Sequence, residues 1–466
     1  NYVSFYCMFY LIEHYFLNNN WYMGGKFMER KDVFKFIEEN QVKFIRLQFT
    51  DINGTMKNVE IPSDELDSAL DSGIMFDGSS VEGFARLHES DMYLKPDLRT
   101  VAMLPWTFDG HRSARIICDV YNDPETSFDG DPRYRLRLVE EKAKSMGFIP
   151  YAGPEVEFFI LPREKGRPVF EFLDKGSYFD LLPVDIAEHI RTEVSVHLEE
   201  MGLDVETTHH EVAPSQHEVD FRYAEPLFAA DNVQTVKLVI KTLAIKNNLY
   251  ATFMPKPFFG VNGSGMHVHM SLFTLDGKNA FYDPDAPDGI SQTMKYFLGG
   301  LIAHAREITA ITNPTVNSYK RLVPGYEAPV NIAWSKGNRT ALIRIPKARG
   351  KSTRLEYRAP DPSCNPYLAL AVMFAAGLDG IENKIEPPAA VEENIYRMSE
   401  SEKIKRGINK LPSNLKEALV EAEKSELVRK ILGEHIWEKF LVLKEREWWE
   451  YTTTVTEWER TKYENI

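Results

Sequence analysis

The chain has 466 residues, of which 55 are Lys or Arg and 69 are Asp or Glu, so its formal net charge is −14. A hydrophobic content of 43% and a charged content of 27% are ordinary for a globular protein of two or three domains. So acidic a chain repels polyanions, which argues against nucleic acid as a partner. The three cysteines are scattered without metal-ligand spacing and predict free thiols in a reducing compartment, the cytoplasm.

Residues 1–27 are rich in aromatic and apolar side chains, but Glu13 and His14 interrupt the apolar run. That run is shorter than the roughly 20 residues needed to span a bilayer, and it lacks the basic start and small-residue cleavage site of a signal peptide. We therefore predict no membrane segment. Because Met28 resembles a natural start, we expect residues 1–27 to be an artefact of the gene start, with a genuine extension that contacts other subunits as the alternative.

Residues 28–130 predict a small α+β domain. A short helix precedes an alternating strand over residues 42–50, and Asn53-Gly54 then gives a strong hairpin signal. The Asp and Pro residues clustered at 123–132 interrupt the pattern and are the best candidate boundary.

Residues 131–466 predict a larger α/β domain in which helices alternate with strands. Helices are expected at 133–146, 185–201, 227–248, 292–309 and 366–382, with an amphipathic helical tail from 415. Strands are expected at 155–161, 205–210, 218–223, 267–273, 341–345 and 354–358.

A glycine-rich loop leads into a strand that carries two histidines, over residues 256–271. His267 and His269 are two residues apart, so both side chains point to the same side of the strand. Gly263 and Gly265 allow the backbone to approach a ligand closely. The pattern favours a binding site, although a turn followed by ordinary core histidines would look similar.

Other strands of the second domain repeat this two-residue spacing with Glu, His and Arg. A sheet with one solvated face explains the alternation equally well. The residue types argue against it, because clustered carboxylates disfavour ionisation unless cations neutralise them. Oxygen-rich ligand sets suit Mg²⁺ or Mn²⁺ better than zinc. The candidate ligands for two such ions are Glu155, Glu157, Glu211, Glu218, His267 and Glu356.

A cationic group follows within residues 321–358. Arginine forks bind carboxylates and phosphates, and cations around a small anion are what phosphoryl transfer requires. Two nucleotide-binding motifs are excluded: the glycine that a phosphate loop would need at position 345 is Ile345, and the glycines at 260, 263 and 265 have the wrong spacing for a dinucleotide fingerprint. The cationic candidates are Arg321, Arg339, Arg344, Lys351, Arg354 and Arg358.

From Met28 to the C-terminal tail, the chain resembles the type I glutamine synthetase family. The matching motifs are long and specific: Phe76-Asp77-Gly78-Ser79-Ser80, Gly153-Pro154-Glu155-x-Glu157-Phe158, Lys256-Pro257 through Ser271, residues 317–329, Asn338-Arg339, Ile343-Arg344-Ile345-Pro346 and Arg358-Ala359-Pro360-Asp361-Pro362. The resemblance implies an α+β fold. A small β-grasp-like N-terminal domain is joined to a larger α/β catalytic domain, whose antiparallel sheet forms a metal-lined funnel.

The resemblance also implies an assembly and a reaction. The expected homo-oligomer is a dodecamer of two stacked six-membered rings, in which the N-terminal domain of one subunit closes the active site of the next. ATP would phosphorylate the γ-carboxylate of glutamate, and ammonia would then displace phosphate to give glutamine.

Residue roles carry over by motif. The first metal site would be Glu157, Glu211 and Glu218, and the second Glu155, His267 and Glu356. Glutamate or ammonium would be bound by Tyr178, Asn262, Gly263, Arg321, Glu327 and Arg358. Phosphate charge would be met by Arg339 and Arg344, and ATP would also contact Glu206, Tyr223, His269, Ser271, Lys351 and Arg354. Asp51 from the adjacent subunit would help deprotonate ammonium, while Glu327 would complete the ammonium site and close over it.

Two positions bear on regulation. Tyr396 lies where one branch of the family is adenylylated, but its flanking residues differ from that branch, so we predict that it is not modified. Arg86 lies where the shorter branch senses its product and is a candidate for binding a small effector, with a surface ion pair as the alternative. A small regulatory protein is a possible partner.

Three functions stay open at this point. The first is glutamine synthesis; the second is the joining of glutamate to a polyamine or an aromatic amine; the third is a non-catalytic descendant that serves as a structural or binding protein. The presence of Asp51 and Glu327 favours ammonia, and the full set of metal ligands argues against the non-catalytic alternative.

Overall fold

The computed structural model describes residues 28–84, 91–107, 110–338 and 340–466. The expectations for residues 1–27, Arg86 and Arg339 lie outside the described residues.

The N-terminal sheet has six strands in the order β2-β1-β6-β4-β3, with β5 paired to β6. Its central pair, β1 and β6, is parallel, and the other neighbours are antiparallel. The strands are β1 Val42–Thr50, β2 Met56–Pro62, β3 Ile74–Asp77, β4 Asp91–Pro96, β5 Ala102–Met103 and β6 Arg112–Tyr121. Helices α1 Arg30–Glu39 and α2 Leu66–Ser72 accompany this sheet.

The turn between β1 and β2 fastens the N-terminal sheet to the rest of the chain. Gly54 has φ +80°, and a Cβ there would lie 2.9 Å from the Asn365 Cα, so the turn needs glycine for both conformation and space. The Asn365 side-chain amide donates to the carbonyl of Asp51 at 3.0 Å and to that of Ile52 at 3.2 Å. These contacts fix the position of Asp51.

The second sheet has ten strands in the order β16-β13-β14-β15-β12-β7-β10-β9, with β8 and β11 paired to the long strand β7. All neighbours are antiparallel except β13 and β14, which are parallel. The strands are β7 Phe148–Glu164, β8 Arg167–Pro168, β9 Val205–His210, β10 Gln216–Phe221, β11 Leu249–Thr252, β12 Met266–Thr274, β13 Asn331–Ser335, β14 Ala341–Arg344, β15 Leu355–Tyr357 and β16 Asn409–Lys410. The predicted α+β fold class is confirmed, with this parallel pair as the departure from a wholly antiparallel catalytic sheet.

Helices cover the second sheet and enclose the main core. They are α3 Pro132–Ser145, α4 Glu188–Glu200, α5 Pro226–Lys246, α6 Gln292–Ala303, α7 Ala305–Thr312, α8 Ser318–Arg321, α9 Pro366–Glu382, α10 Glu400–Lys405, α11 Leu415–Glu423, α12 Glu426–Thr453 and α13 Glu457–Tyr463. In α9 nearly every residue is buried, as expected for a helix that is apolar on all sides. None of the described helices combines the length and apolar character that crossing a membrane requires.

Two local features refine the sequence-based expectations. The Asp131 carboxylate accepts from the Arg133 backbone N–H at 2.9 Å, so the interruption near residue 130 is the N-cap of α3, with Pro132 as its first residue. The single helix expected at 292–309 is two helices that meet at His304. The His304 ring lies 2.8 Å from a Glu307 carboxylate oxygen and 3.0 Å from one of Asp379, so side-chain contacts hold the break in place.

Candidate active site

Strand register brings the polar side chains of the second sheet onto one surface. Glu155 of β7 lies opposite His267 of β12, and Glu157 of the same strand lies opposite Glu218 of β10. On the other side of β12, His269 lies opposite Glu356 of β15. Side chains opposite each other on neighbouring strands share a face, so four strands contribute to one site.

Three of these residues form the Glu155 cluster: Glu155, His267 and Glu356. Each offers a ligand atom within 4.8 Å of the other two. His267 Nδ1 lies 3.3 Å from Glu155 Oε2 and 3.7 Å from Glu356 Oε1. Two carboxylates and one imidazole are a suitable donor set for Mg²⁺ or Mn²⁺. The set predicted for the second metal is therefore brought together.

A second group, the Glu218 cluster, consists of His209, Glu218 and Asp220, again within 4.8 Å of one another. Sequence reasoning grouped Glu218 with Glu157 and Glu211 instead. All three of those glutamates line the same cavity, and His209 Nε2 lies 3.2 Å from Glu218 Oε1. Asp220 lies two residues after Glu218 on β10, so the two-residue spacing could have identified it.

Glu157 is oriented by the protein itself. Its Oε2 accepts from the backbone N–H of Gly265 at 2.8 Å and from the Gln216 side chain at 3.0 Å. The Gln216 amide also donates to the carbonyl of Gly263 at 3.1 Å. This carboxylate therefore joins the metal-ligand surface to the glycine-rich loop.

The carboxylates on the Glu218 side resist ionisation. Burial, with the charge of Glu157, raises the pKa of Glu211 to about 8. Burial, with the charge of Asp220, raises the pKa of Glu218 well above its usual range. Burial and the charge of Glu155 raise the pKa of Asp220 to about 6. Like charges held together in a buried place are what a divalent cation would stabilise, so the residues fit a metal site.

The Glu155 cluster behaves differently because hydrogen-bond donors surround its carboxylates. Burial opposes ionisation of Glu155, but hydrogen bonds from His267 and His269 outweigh burial and hold its pKa well below the usual value. Burial likewise opposes ionisation of Glu356, and Arg358 with the histidines lowers its pKa overall. Arg354 Nε donates to His269 Nδ1 at 3.2 Å, which leaves His269 Nε2 to donate to Glu155 at 2.7 Å.

The enclosed space measures about 320 Å³, within the usual range for small-molecule sites. Arg321, Arg344 and Arg358 line it beside the carboxylates. The Arg344 Nε donates to Glu356. The Arg358 Nε is buried and has no hydrogen-bond partner among the described residues. A buried guanidinium donor facing acidic groups suits an anionic substrate.

Arg321 is more constrained than sequence reasoning suggested. Two of its guanidinium nitrogens donate to three main-chain carbonyls, those of Ala359 at 2.7 Å, Pro360 at 3.2 Å and Arg358 at 3.2 Å. It therefore braces the segment that carries Arg358, and the predicted contact with glutamate depends on its remaining donors.

The glycine-rich loop is packed too tightly for any side chain at Gly263. A Cβ there would lie 2.2 Å from the carbonyl oxygen of Pro255. The neighbouring Asn262 donates through its side-chain amide to Glu327 Oε2 at 3.2 Å. The loop thus contacts residues 324–329, which we call the lid.

The lid holds Glu327 in an unusual backbone conformation. Glu327 has φ +59°, in the left-handed region, which costs a non-glycine residue about 1–2 kcal/mol. The Tyr326 ring lies 3.9 Å from Lys256 Nζ. Both Tyr326 and Glu327 line the cavity, and so does Tyr178, whose ring packs against Phe179 and His209. Tyr178 therefore lies among the residues predicted to bind glutamate or ammonium.

Of the residues predicted to bind ATP, Arg344 lines the cavity, whereas Glu206, Tyr223, His269, Ser271, Lys351 and Arg354 are not part of its lining. Ser271 pairs with Tyr151, whose ring contacts that of Tyr223, and Tyr223 is 37% exposed. The remaining predicted contacts are Arg354, bonded to His269, together with the exposed residues Glu206 and Lys351. Arg339 lies outside the described residues. His269 contacts both Arg354 and Glu155, so it links the predicted ATP residues to the Glu155 cluster.

Asp51 is absent from the cavity lining of its own chain, as far as the described residues extend. Its side chain is 4% exposed and lies 3.6 Å from Lys57 Nζ. The Thr55 backbone N–H donates to it at 2.8 Å. Burial raises the pKa of Asp51, which makes the carboxylate a better proton acceptor than an exposed one.

Comparison with protein families decides which fold and chemistry these residues belong to. Residues 41–123 match the family model described as glutamine synthetase, beta-Grasp domain, and residues 129–463 match glutamine synthetase, catalytic domain. The chain belongs to the glutamine synthetase family. It is thus an enzyme, of the family that forms glutamine from glutamate and ammonia with ATP.

Individual relatives agree with this assignment. A glutamine synthetase of Thermotoga maritima is 65% identical over 430 residues, which are 92% of this chain and 98% of that protein. A glutamine synthetase of Staphylococcus aureus strain Mu50 is 53% identical over 95% of this chain and 99% of its own length.

Solved structures show the same fold. GmaS in complex with ADP has a TM-score of 0.85 at 32% identity, covering 93% of this chain and 99% of its own. A cryo-EM structure of Plasmodium falciparum glutamine synthetase has a TM-score of 0.84 at 26% identity, covering 95% and 100%.

Proposed function

We propose that this enzyme ligates ammonia to L-glutamate through a γ-glutamyl phosphate intermediate, giving L-glutamine, ADP and phosphate, and that it serves nitrogen assimilation. The observation that carries the proposal is the cavity in which carboxylates on three strands, with His267 on a fourth, lie beside Arg344 and Arg358. Such a site can hold divalent cations and two anionic substrates together.

In the first step, a γ-carboxylate oxygen of glutamate attacks the terminal phosphorus of ATP, and the bond from that phosphorus to the bridging oxygen breaks to release ADP. Arg344 and Arg339 meet the charge on the transferred phosphoryl group. Arg358, with Asn262 and Gly263, orients the glutamate. Tight packing at Gly263 suits this positioning because the loop cannot shift without moving Pro255.

In the second step, the nitrogen of ammonia attacks the acyl carbon, and the carbon–oxygen bond to phosphate breaks. Ammonium, the resting form of the substrate, first gives a proton to a carboxylate at the Asp51 and Glu327 site. The lid excludes water, which would otherwise hydrolyse the acyl phosphate. The lid contacts of Tyr326 and Glu327 support this role.

Two or more Mg²⁺ or Mn²⁺ ions are the proposed cofactors, held by the Glu155 cluster and by Glu157, Glu211 and Glu218. Bound there, the ions would neutralise phosphate charge and polarise the bond to be broken. His209 and Asp220 join this donor set because they lie within 4.8 Å of Glu218.

The proposed assembly is a dodecamer whose active sites lie between subunits. Among the described residues, Asp51 does not line the cavity of its own chain, which supports a role for it in a neighbouring subunit's site. The reducing cytoplasm is the proposed compartment, because Cys118 and Cys364 are free thiols. Nucleic acid and membrane are not proposed as partners, while the roles of Arg86 and of a regulatory protein stay predictions.

An amine panel tests the substrate. Purified enzyme is given ATP, glutamate and a divalent cation, and ADP release is compared for ammonium, polyamines and aromatic amines. We expect ammonium to be preferred by at least tenfold in kcat/KM, because carboxylates at Asp51 and Glu327 attract a small cation. Preference for a larger amine would transfer the assignment to the amine-ligating alternative.

A further inference from the structure

The backbone of the lid is held by a residue that the reaction steps do not use. Glu327 adopts a left-handed conformation at φ +59°, which persists in a protein only where neighbouring contacts fix it. The hydroxyl of Tyr396 donates to the carbonyl of Ala328, the next residue along, at 2.5 Å. This hydrogen bond acts directly on the strained point of the lid.

Tyr396 lies on a firm support. Asn394 caps the short helix Ile395–Arg397, and its side chain accepts from the Tyr396 backbone N–H at 3.0 Å. The neighbouring Ile395 is fully buried and packs with Ala333 and Ala341 of the parallel strands β13 and β14. The hydroxyl therefore lies on a short helix that packs against the sheet.

The chemistry of the pair is unambiguous. A carbonyl oxygen can only accept, so the tyrosine must donate, and it can do so only while protonated. Burial raises the pKa of Tyr396, so the hydroxyl keeps its proton at neutral pH. Two further contacts of the lid are the Asn262 amide on Glu327 and Lys256 beside the Tyr326 ring, and both come from the glycine-rich loop region. Tyr396 contacts the lid from a different segment, the short helix Ile395–Arg397.

We propose that Tyr396 is a positioning residue, whose hydroxyl holds the Ala328 carbonyl and so keeps Glu327 facing the cavity in its closed place. This inference rests on the proposed function, since it assigns Tyr396 to the step in which Glu327 serves ammonia. Losing the hydroxyl should change glutamate and ATP binding less than ammonium capture, because the hydroxyl donates to the lid, whereas Arg358, Asn262 and Gly263 lie outside the lid. Ammonium should bind more weakly, and water should reach the acyl phosphate more often.

The test uses the full-length enzyme and the variant Tyr396→Phe, which keeps the ring. The ammonium KM should rise about five- to tenfold, as expected for one lost hydrogen bond that orients a charged group, while the glutamate KM changes by less than about twofold. The ratio of ADP to glutamine should exceed one at low ammonium, because acyl phosphate is lost to water. The variant should use hydroxylamine, which is mostly uncharged at neutral pH, almost as well as the wild-type enzyme does.

Two comparisons keep the result interpretable. Tyr463→Phe removes an exposed hydroxyl far along the C-terminal helices and should match wild type. Asn394→Ala loosens the support of Tyr396 and should shift the ammonium KM in the same direction by a smaller factor.

The outcomes separate the two proposals. A wild-type enzyme that makes no glutamine from ammonium contradicts the proposed function. A wild-type enzyme that makes glutamine, together with a Tyr396→Phe variant of unchanged ammonium KM and ADP-to-glutamine ratio, overturns the positioning role. Amide hydrogen exchange gives an independent reading: the amides of residues 325–328 should exchange faster in the variant, and unchanged exchange contradicts the inference.

Discussion

Glu211 shows at the scale of one residue how the site couples protons to metal. Its pKa of about 8 lies above the ordinary value of 4.5. Between these two pH values the folded, metal-free chain therefore keeps the Glu211 proton, whereas the unfolded chain has lost it. The contribution of Glu211 to the free energy of unfolding therefore falls as the pH rises from about 5 to about 8. A cation must displace that proton, so its binding strengthens over the same pH range.

Thermal unfolding measures this linkage. The rise in Tm that saturating Mn²⁺ gives over a chelated sample should be larger at pH 8 than at pH 6. Metal affinity should increase by up to about tenfold per pH unit for each proton displaced. A metal-induced gain in Tm that stays constant over this pH range would contradict the assignment of Glu211 and Glu218 to the metal surface.

Glu157 allows a second test at this scale. Replacing it with Gln removes one ligand charge and weakens the contact with the Gly265 N–H. We expect Mn²⁺ affinity to fall by at least about tenfold and kcat by at least about a hundredfold. Titration calorimetry and steady-state assays measure the two effects. Glu164→Gln, on the exposed end of the same strand, is the matched control and should leave both quantities unchanged.

Spacing along single strands predicted much of this site, but not all of it. Glu155, Glu157, His267 and Glu356 follow from two-residue periodicity because strand geometry alone places them on one face. His209 was missed because it acquires its role only through pairing with β10, where it lies opposite Glu218. The main-chain bonds of Arg321 also depend on a distant segment, and no local pattern reveals them.

At the scale of elements, the glycine-rich loop is the part least able to change. Gly263→Ala would force a methyl group against the Pro255 carbonyl, so the loop must shift. We expect the glutamate KM to rise by about tenfold or more, because the displaced backbone orients the substrate. Gly300→Ala is a control of similar crowding elsewhere, since its Cβ would lie 2.1 Å from the Ala376 carbonyl between two helices. Gly300→Ala should lower Tm without altering the glutamate KM. If the two variants had the same glutamate KM, the positioning role of the loop would be contradicted.

Element prediction succeeded where pattern and capping agreed. The range 366–382 matches α9 because Asn365, Pro366 and a continuous apolar run define it locally. The single helix expected at 292–309 was wrong: the helix breaks at His304, whose ring contacts Asp379, a residue far along the chain, as well as the nearby Glu307. The parallel pairing of β13 with β14 could not be predicted from the residues of either strand either, since the direction of a strand depends on how the chain connects it to its neighbour.

At the scale of the whole molecule, Asp51 raises the question of which chain it serves. Asp51→Asn and Glu157→Gln should each inactivate a pure oligomer, by damaging different parts of one composite site. When equal amounts of the two variants are unfolded and reassembled together, about a quarter of the sites in a ring should combine an intact Asp51 with an intact Glu157 from the neighbour. Activity near that fraction of wild type supports sites between subunits. Complete inactivity of the mixture, with confirmed co-assembly, would contradict them.

The fold class followed from sequence because the motifs extend through both domains, whereas the assembly cannot be derived from one chain. Composition and hydrophobic pattern constrain a core, but the faces that meet in an oligomer resemble other half-exposed surfaces. Trp449 and Trp458 near the C-terminus are examples, because their exposure alone does not show whether they lie at a contact between subunits.

We propose that carboxylates holding divalent cations, together with arginines, join ammonia to glutamate. The most direct measurement follows ¹⁵N-ammonium into product by mass spectrometry, with ADP measured in the same reaction. We predict one ¹⁵N-labelled glutamine for each ADP, loss of both products when a chelator is added, and recovery with Mg²⁺ or Mn²⁺. Labelled glutamine formed without a divalent cation, or ADP release that yields no labelled glutamine, would contradict the proposed reaction.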